Sequence, residues 1–216
     1  MSDIILPQDV RNYIFYDTFN RTSAEIDADV PTYNKAGAAL AWHCNSAGQF
    51  GTNAAGYIYR VAGTQNANYA TLDIGQQPSV IVGSGIMDLT AKKIRIGLRT
   101  TLSTGGLTTD TDYNSWEVIF TRTSTTLEVL FQYRVAGTII AVVDTAGSSA
   151  SAVVGTADPT SVFPFRIEQT SSQVIVKVPG GSRTWNITPG MSALTSTLIS
   201  MCITDTNVKL YPLRAW

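Results

Sequence analysis

The chain has 216 residues, 15 of them Lys or Arg and 16 Asp or Glu, so charge is only 14% of the sequence and the net charge is −1. Its 28 Thr and 18 Ser outnumber the charged residues, while hydrophobic residues at 44% are enough for a substantial core and exclude a disordered chain. No run of Lys or Arg supplies the basic stripe of a nucleic-acid surface, and no apolar stretch approaches the ~20 residues of a membrane span, so neither nucleic acid nor membrane is expected as a partner.

In chain order the sequence predicts strands. Thr, Val, Ile and aromatic side chains suit a pleated, half-buried surface, and helix formers are scarce, with 4 Glu and 5 Lys. The first candidates are residues 13–19, 40–44, 57–61, 69–74, 86–90 and 93–99. Residues 116–122 and 127–134 alternate apolar and polar. The polar Thr123-Ser124-Thr125-Thr126 between them reads as a hairpin turn. Ala136-Gly137 then turns the chain into 138–144. Residues 163–169 and 173–178 alternate around Thr170-Ser171-Ser172, and Pro179-Gly180-Gly181 turns into 183–187. Residues 198–204 and 208–213 close the chain. Short strands separated by turns, with no convincing 3.6-period segment, predict an all-β antiparallel sandwich of jelly-roll type. It is expected to form one domain over 1–216, with 1–12 as a docking arm. The hexapeptide Tyr59–Thr64 recurs letter for letter as Tyr133–Thr138. Its flanks differ, which favours one strand-then-Gly-turn solution used twice over a duplicated unit.

Catalytic and metal chemistry is hard to assemble from these residues. The start of the chain lacks a positive n-region and a long apolar h-region, so no signal peptide is expected. Cys44 and Cys202 are too few for a disulfide framework and read as reduced core residues. His43 is the lone histidine, on a strand between Trp42 and Cys44, and it points away from both neighbours. It reads as a structural histidine, and no Gly-x-Ser-x-Gly elbow, zinc set or phosphate loop accompanies it. No metal, cofactor or enzymatic activity is therefore expected.

Two acidic clusters need weighing. Glu25-Ile26-Asp27-Ala28-Asp29 would align carboxylates on one face of a strand, as a retaining glycosidase requires. It vaguely resembles the Glu-x-Asp-x-Glu strand of family-16 glucanases. It departs at Asp29, where that pattern has Glu, and it lies in loop-like sequence before Pro31. Asp110, Asp112 and Asn114 place oxygen ligands at alternate positions, where they could hold Ca²⁺, with Tyr113 as a sugar-stacking ring. These four residues are the candidate carbohydrate-binding set, beside the plainer reading of a solvated turn.

Asp17-Thr18-Phe19-Asn20-Arg21-Thr22, then Ala41-Trp42, then Gly48-Gln49-Phe50-Gly51-Thr52-Asn53 and Gly56-Tyr57 resemble the opening of concanavalin-A-like jelly-roll domains in tailed-bacteriophage virion proteins. Later segments at 116–120, 127–133 and 165–178 are similar to the paired long strands of that sandwich. The resemblance implies a non-enzymatic structural protein of the virion: a minor tail, tail-fibre or capsid-decorating component made in the host cytoplasm. It also implies other virion proteins as partners, a homo-oligomer with a trimer favoured, and exposure that could aid host attachment. One alternative is a carbohydrate-binding module for host-envelope glycans, which predicts Trp and Tyr on the outer side of successive strands. A glycoside hydrolase is the other. The apolar chain ends at 4–7 and 211–216 read either as assembly surfaces or as segments docked back on the same domain.

Overall fold

The computed structural model describes residues 13–36, 40–44, 48–61, 69–88, 90–102, 113–124, 126–136, 138–147, 152–153 and 160–216. Along them run β1 (Phe15–Asp17), β2 (Tyr33–Asn34), β3 (His43–Cys44), β4 (Phe50–Asn53), β5 (Tyr57–Arg60) and β6 (Ala70–Asp73). There follow β7 (Val80–Met87), β8 (Lys93–Leu102), β9 (Tyr113–Thr123), β10 (Thr126–Val135), β11 (Thr138–Ala141) and β12 (Ala152–Val153). The rest is β13 (Phe163–Gln169), β14 (Gln173–Val178), β15 (Gly181–Asn186), the single turn α1 (Pro189–Ser192), β16 (Leu198–Ile203), β17 (Val208–Leu210) and β18 (Leu213–Ala215).

These strands make two antiparallel sheets. Sheet I has the order β15-β14-β13-β7-β17-β5-β4, and β18 lies between β7 and β1, with β2 beyond. Sheet II has the order β11-β10-β9-β8-β16-β6-β3, with β12 also on β10. The expected all-β jelly roll is the observed fold.

Period-two alternation explains how the sheets meet. In sheet II, β9 buries Trp116, Val118 and Phe120, and β10 buries Leu127, Val129 and Phe131. In sheet I, β13 buries Phe163, Phe165 and Ile167, and β14 buries Val174, Val176 and Val178. The rings meet across the gap: Phe120 and Phe165 have centroids 4.6 Å apart, and Phe131 and Trp185 5.8 Å. Side chains on one face of each strand thus form the shared core, and the other faces point away from it.

The repeated hexapeptide shows that face assignment is tertiary. On β5, Ile58 and Arg60 point inward and Tyr59 outward; on β10, Tyr133 joins the core and Arg134 takes the outward face. Identical letters sit in opposite orientations, and the Gly63 and Gly137 turn positions of the two copies lie outside the described residues.

Several elements depart from the expectation: β2, β12 and the turn α1 fall on segments not predicted as elements. β7 starts at Val80 rather than 86, because Gly83 and Gly85 are strand residues. A Cβ on Gly83 would lie 2.6 Å from Leu213 Cδ2, and one on Gly85 2.3 Å from Ile94 Cδ1. The strand predicted over 208–213 breaks at Tyr211-Pro212 into β17 and β18, both of which pair with β7. Phe50–Asn53, not predicted as a strand, pairs with β5 as β4. The C-terminal segment docks back on its own sheet, with Leu213 and Ala215 buried. The proposed arm at 1–12 lies outside the described residues.

Candidate functional site

The acidic run at 25–29 is not a strand. Ala28 takes a φ of +65°, which ends any alternation there. Each side chain beyond it has a local task. Asp27 Oδ1 accepts the Cys44 amide at 2.7 Å and lies 3.2 Å from His43 Nδ1. Asp29 Oδ2 accepts Arg21 Nε at 3.1 Å. Burial pushes the Glu25 carboxyl above its ordinary range, with Asp27 and Asp29 adding repulsion. His43 is exposed, opposite to the buried Trp42 and Cys44, as strand alternation predicts. Cys44 and Cys202 are free and buried as expected, and burial, reinforced by Glu25 and Asp27, pushes the Cys44 thiol far up.

Of the candidate carbohydrate set, Asp110 and Asp112 lie outside the described residues. Tyr113 opens β9, its backbone paired with Leu102. Asn114 Oδ1 accepts the Ala136 amide at 2.6 Å and so ties β9 to the turn after β10.

The outward side of sheet II holds a buried polar network that sequence reading passed over. Glu117 on β9 is fully buried, and Gln132 and Arg134 on β10 and Arg95 on β8 are buried beside it. Gln132 Nε2 donates to Glu117 Oε2, and Arg134 Nη2 stands 3.7 Å from that oxygen. Tyr69 Oη donates to Glu117 Oε1 at 3.4 Å and receives Arg95 Nη1 at 2.9 Å. Alternation on β9 places Glu117 there, and a charged residue between apolar Trp116 and Val118 was the available signal. The only other carboxylate on β8, β9 or β10 is Glu128. Glu117 pairs with Gln132 and Glu128 with Thr121, so they are four residues apart along the ladder. At ~3.3 Å per residue that is about 13 Å. Paired glycosidase carboxylates stand ~5–5.5 Å or ~6.5–9.5 Å apart.

The outward side of sheet I carries a groove of about 750 Å³. Val82 and Ser84 of β7, Arg166 of β13 and Lys177 of β14 line its floor, and Pro164, Pro179 and Pro212 add apolar walls. Arg214 lines it from β18, and the Tyr13 and Trp216 rings at one end have centroids 4.7 Å apart. Beyond Ser84, which accepts the Tyr211 amide at 2.9 Å, the same face continues as an aromatic row. There Tyr57 meets Tyr211 at 5.7 Å and Tyr59 at 6.0 Å, with Lys209 Nζ 5.0 Å from the Tyr57 ring. Lys209 and Tyr57 face outward because their neighbours Val208, Leu210 and Ile58 are core residues.

No family model and no curated protein matches the sequence. Solved structures do match the fold. A beta-porphyranase from the human gut bacterium Bacteroides plebeius has a TM-score of 0.53 at 11% identity, covering 94% of this chain and 90% of that one. An endo-acting O-glycanase of the human gut microbiota gives 0.52 at 14% identity, covering 94% and 98%. SCLam, a non-specific endo-beta-1,3(4)-glucanase of family GH16, gives 0.51 at 9% identity, covering 94% and 89%. At these identities the likeness is one of fold, the glucanase-like, concanavalin-A-like jelly roll. It corrects the expectation of a non-enzymatic virion component: the folds matched along nearly the whole chain are those of saccharide-cleaving enzymes. A likeness to enzyme folds gives the expected absence of enzymatic activity no support.

Proposed function

We propose that this chain is a saccharide-binding jelly-roll protein whose ligand lies in the groove on sheet I. The carrying observation is the Trp216–Tyr13 pair at one end of a pocket of about 750 Å³ with apolar and cationic walls. That volume falls within the ~300–1,000 Å³ of small-ligand sites. The half-buried Trp216 ring, backed by the buried Tyr13 ring, offers a flat apolar face to one side of a pyranose, and polar groups nearby satisfy its hydroxyls. The proteins of like fold include a beta-porphyranase and an endo-beta-1,3(4)-glucanase, which supports a saccharide ligand. The test is a glycan array followed by titration calorimetry on wild type and Trp216→Ala. Binding by the wild type that Trp216→Ala weakens tenfold or more is expected; silence across neutral and acidic glycans overturns the reading.

A second reading, glycoside hydrolysis, is favoured by Glu117, a mid-strand carboxylate ringed by hydrogen-bond donors. On the described neighbouring strands it lacks a second carboxylate at catalytic distance, so binding is the better-supported function. Reducing ends released from β-glucans or mucin glycans, and lost in Glu117→Gln, would reverse that order.

A further inference from the structure

Taking the sheet I groove as a saccharide site, we propose that its ligand is acidic. It is a chain containing uronic acids, one ring packed on Trp216 and that ring's carboxylate held by Arg214. Arg214 on β18 and Trp216 directly after the strand alternate with the buried Leu213 and Ala215, and both line the groove on the outward face. They are two residues apart, about 7 Å along a strand, which is the scale of a pyranose ring and its exocyclic carboxylate. Trp216 is fixed there, because its amide donates to Val80 O at 3.0 Å and its carbonyl accepts the Ser79 amide at 2.6 Å.

The charge of the groove decides the class of ligand. Among the described residues its lining holds Arg166, Lys177 and Arg214 and no Asp or Glu. Arg166 and Lys177 share one carboxylate, Glu168, whose Oε1 lies 2.5 Å from Arg166 Nε and 2.8 Å from Lys177 Nζ. Counting the side chains of the described residues, three cations against that carboxylate leave 3 − 1 = +2. Among the described residues no carboxylate stands within ion-pair distance of Arg214, whereas Arg21, Lys92 and Arg183 each have one. A guanidinium set among proline and valine walls, partly shielded from water, favours an anion over a neutral hydroxyl. Its planar fork matches a carboxylate through two parallel hydrogen bonds. A neutral sugar would leave that charge unused.

The test compares binding of an oligogalacturonate, its methyl ester and a sulfated galactan oligosaccharide to wild type, Arg214→Gln and Arg214→Lys, with circular dichroism confirming each fold. Wild type is expected to bind the acid at least tenfold more tightly than the ester, with affinity falling as salt rises. Arg214→Gln is expected to lose that preference and still bind the ester, and Arg214→Lys to recover part of it. Equal binding of acid and ester by the wild type overturns the acidic assignment and leaves the saccharide-binding reading standing. Tight binding of the sulfated chain alone overturns the uronate assignment. Silence toward all three, and toward neutral glycans, removes the saccharide-binding reading itself.

Discussion

The indole Nε1–H of Trp42 donates to Asp17 Oδ2 at 2.8 Å, across 25 residues of sequence. Asp17 is fully buried, and Arg21 grips it with two further bonds at 2.7 and 3.0 Å while the Phe19 amide adds one at 2.9 Å. The Trp42 ring packs against Phe15 and Phe19, with centroids 5.8 and 6.2 Å away. The Asp17, Phe19, Arg21 and Trp42 positions that carried the family resemblance are therefore one structural knot. They speak for the fold and not for a role in a particle.

Cutting that knot should be costly. Asp17→Ala removes the acceptor of Trp42 and the partner of Arg21, and breaking a buried ion pair from one side costs ~3–5 kcal/mol. Trp42→Phe keeps most of the ring but removes one of the two donors to Asp17 Oδ2, the other being Arg21 Nη2, for about 1–3 kcal/mol. Urea unfolding of both variants measures this; a wild-type midpoint for Asp17→Ala would remove Asp17 from the stabilising set.

Where alternation is unbroken the sequence is legible residue by residue: β13 and β14 lie where the pattern places them. It fails where tertiary contact overrides a local rule. Gly83 and Gly85 read as punctuation, yet they are the strand positions at which Leu213 and Ile94 leave no room for a Cβ. The groove on sheet I was invisible for another reason. Its wall residues come from the β13–β14 pair together with β7 and β18, which only the topology brings beside that pair. Arg214 and Trp216 read as part of an apolar chain end, because strand register alone shows that they share the outward face. Glu117 could have been noticed as a charge flanked by core residues, but its partners Tyr69 and Gln132 could not.

Gly85→Ala tests the close packing on β7 directly. The added methyl carbon would stand 2.3 Å from Ile94 Cδ1 and 3.2 Å from the Phe163 ring, both in the core. Overpacking of this kind costs ~1–3 kcal/mol. Gly190→Ala is the control, since nothing lies within 4 Å of its added carbon. Thermal melts should show a clear drop for the first and little change for the second; equal melting temperatures would contradict the packing described.

Asp205 gives a pH dependence of known sign. Burial alone would raise its carboxyl. The Lys92 ammonium at 2.9 Å and the Asn207 amide and side chain, both at 3.0 Å, outweigh this and hold it below the ordinary carboxylate range. A group lowered in the folded state stabilises above its unfolded pKa, near ~3.9 for Asp. That contribution disappears as the pH falls through the lower folded value. Asp205→Asn should therefore melt below wild type at pH 6–7, with the gap narrowing below about pH 4 and closing further down. A gap that stays constant to pH 2.5 would assign the loss to packing instead of charge.

Glu117 separates structure from chemistry on sheet II. If the network around it is structural, Glu117→Ala should lose ~3–5 kcal/mol, because it removes the acceptor of Gln132 and Tyr69 and the charge facing Arg134. Glu117→Gln should lose less, since its amide oxygen still accepts a hydrogen bond. Neither change should alter saccharide affinity in the groove, which lies on the opposite outward face of the sandwich. If Glu117 instead takes part in hydrolysis, Glu117→Gln should abolish reducing-end release by a protein that still unfolds near the wild-type midpoint. Chemical denaturation, calorimetric titration and a reducing-sugar assay on the same two variants therefore give different patterns for the two roles. Loss of groove binding in Glu117→Gln, with the fold intact, would show that the two faces are coupled and that the assignment to sheet I alone is too narrow.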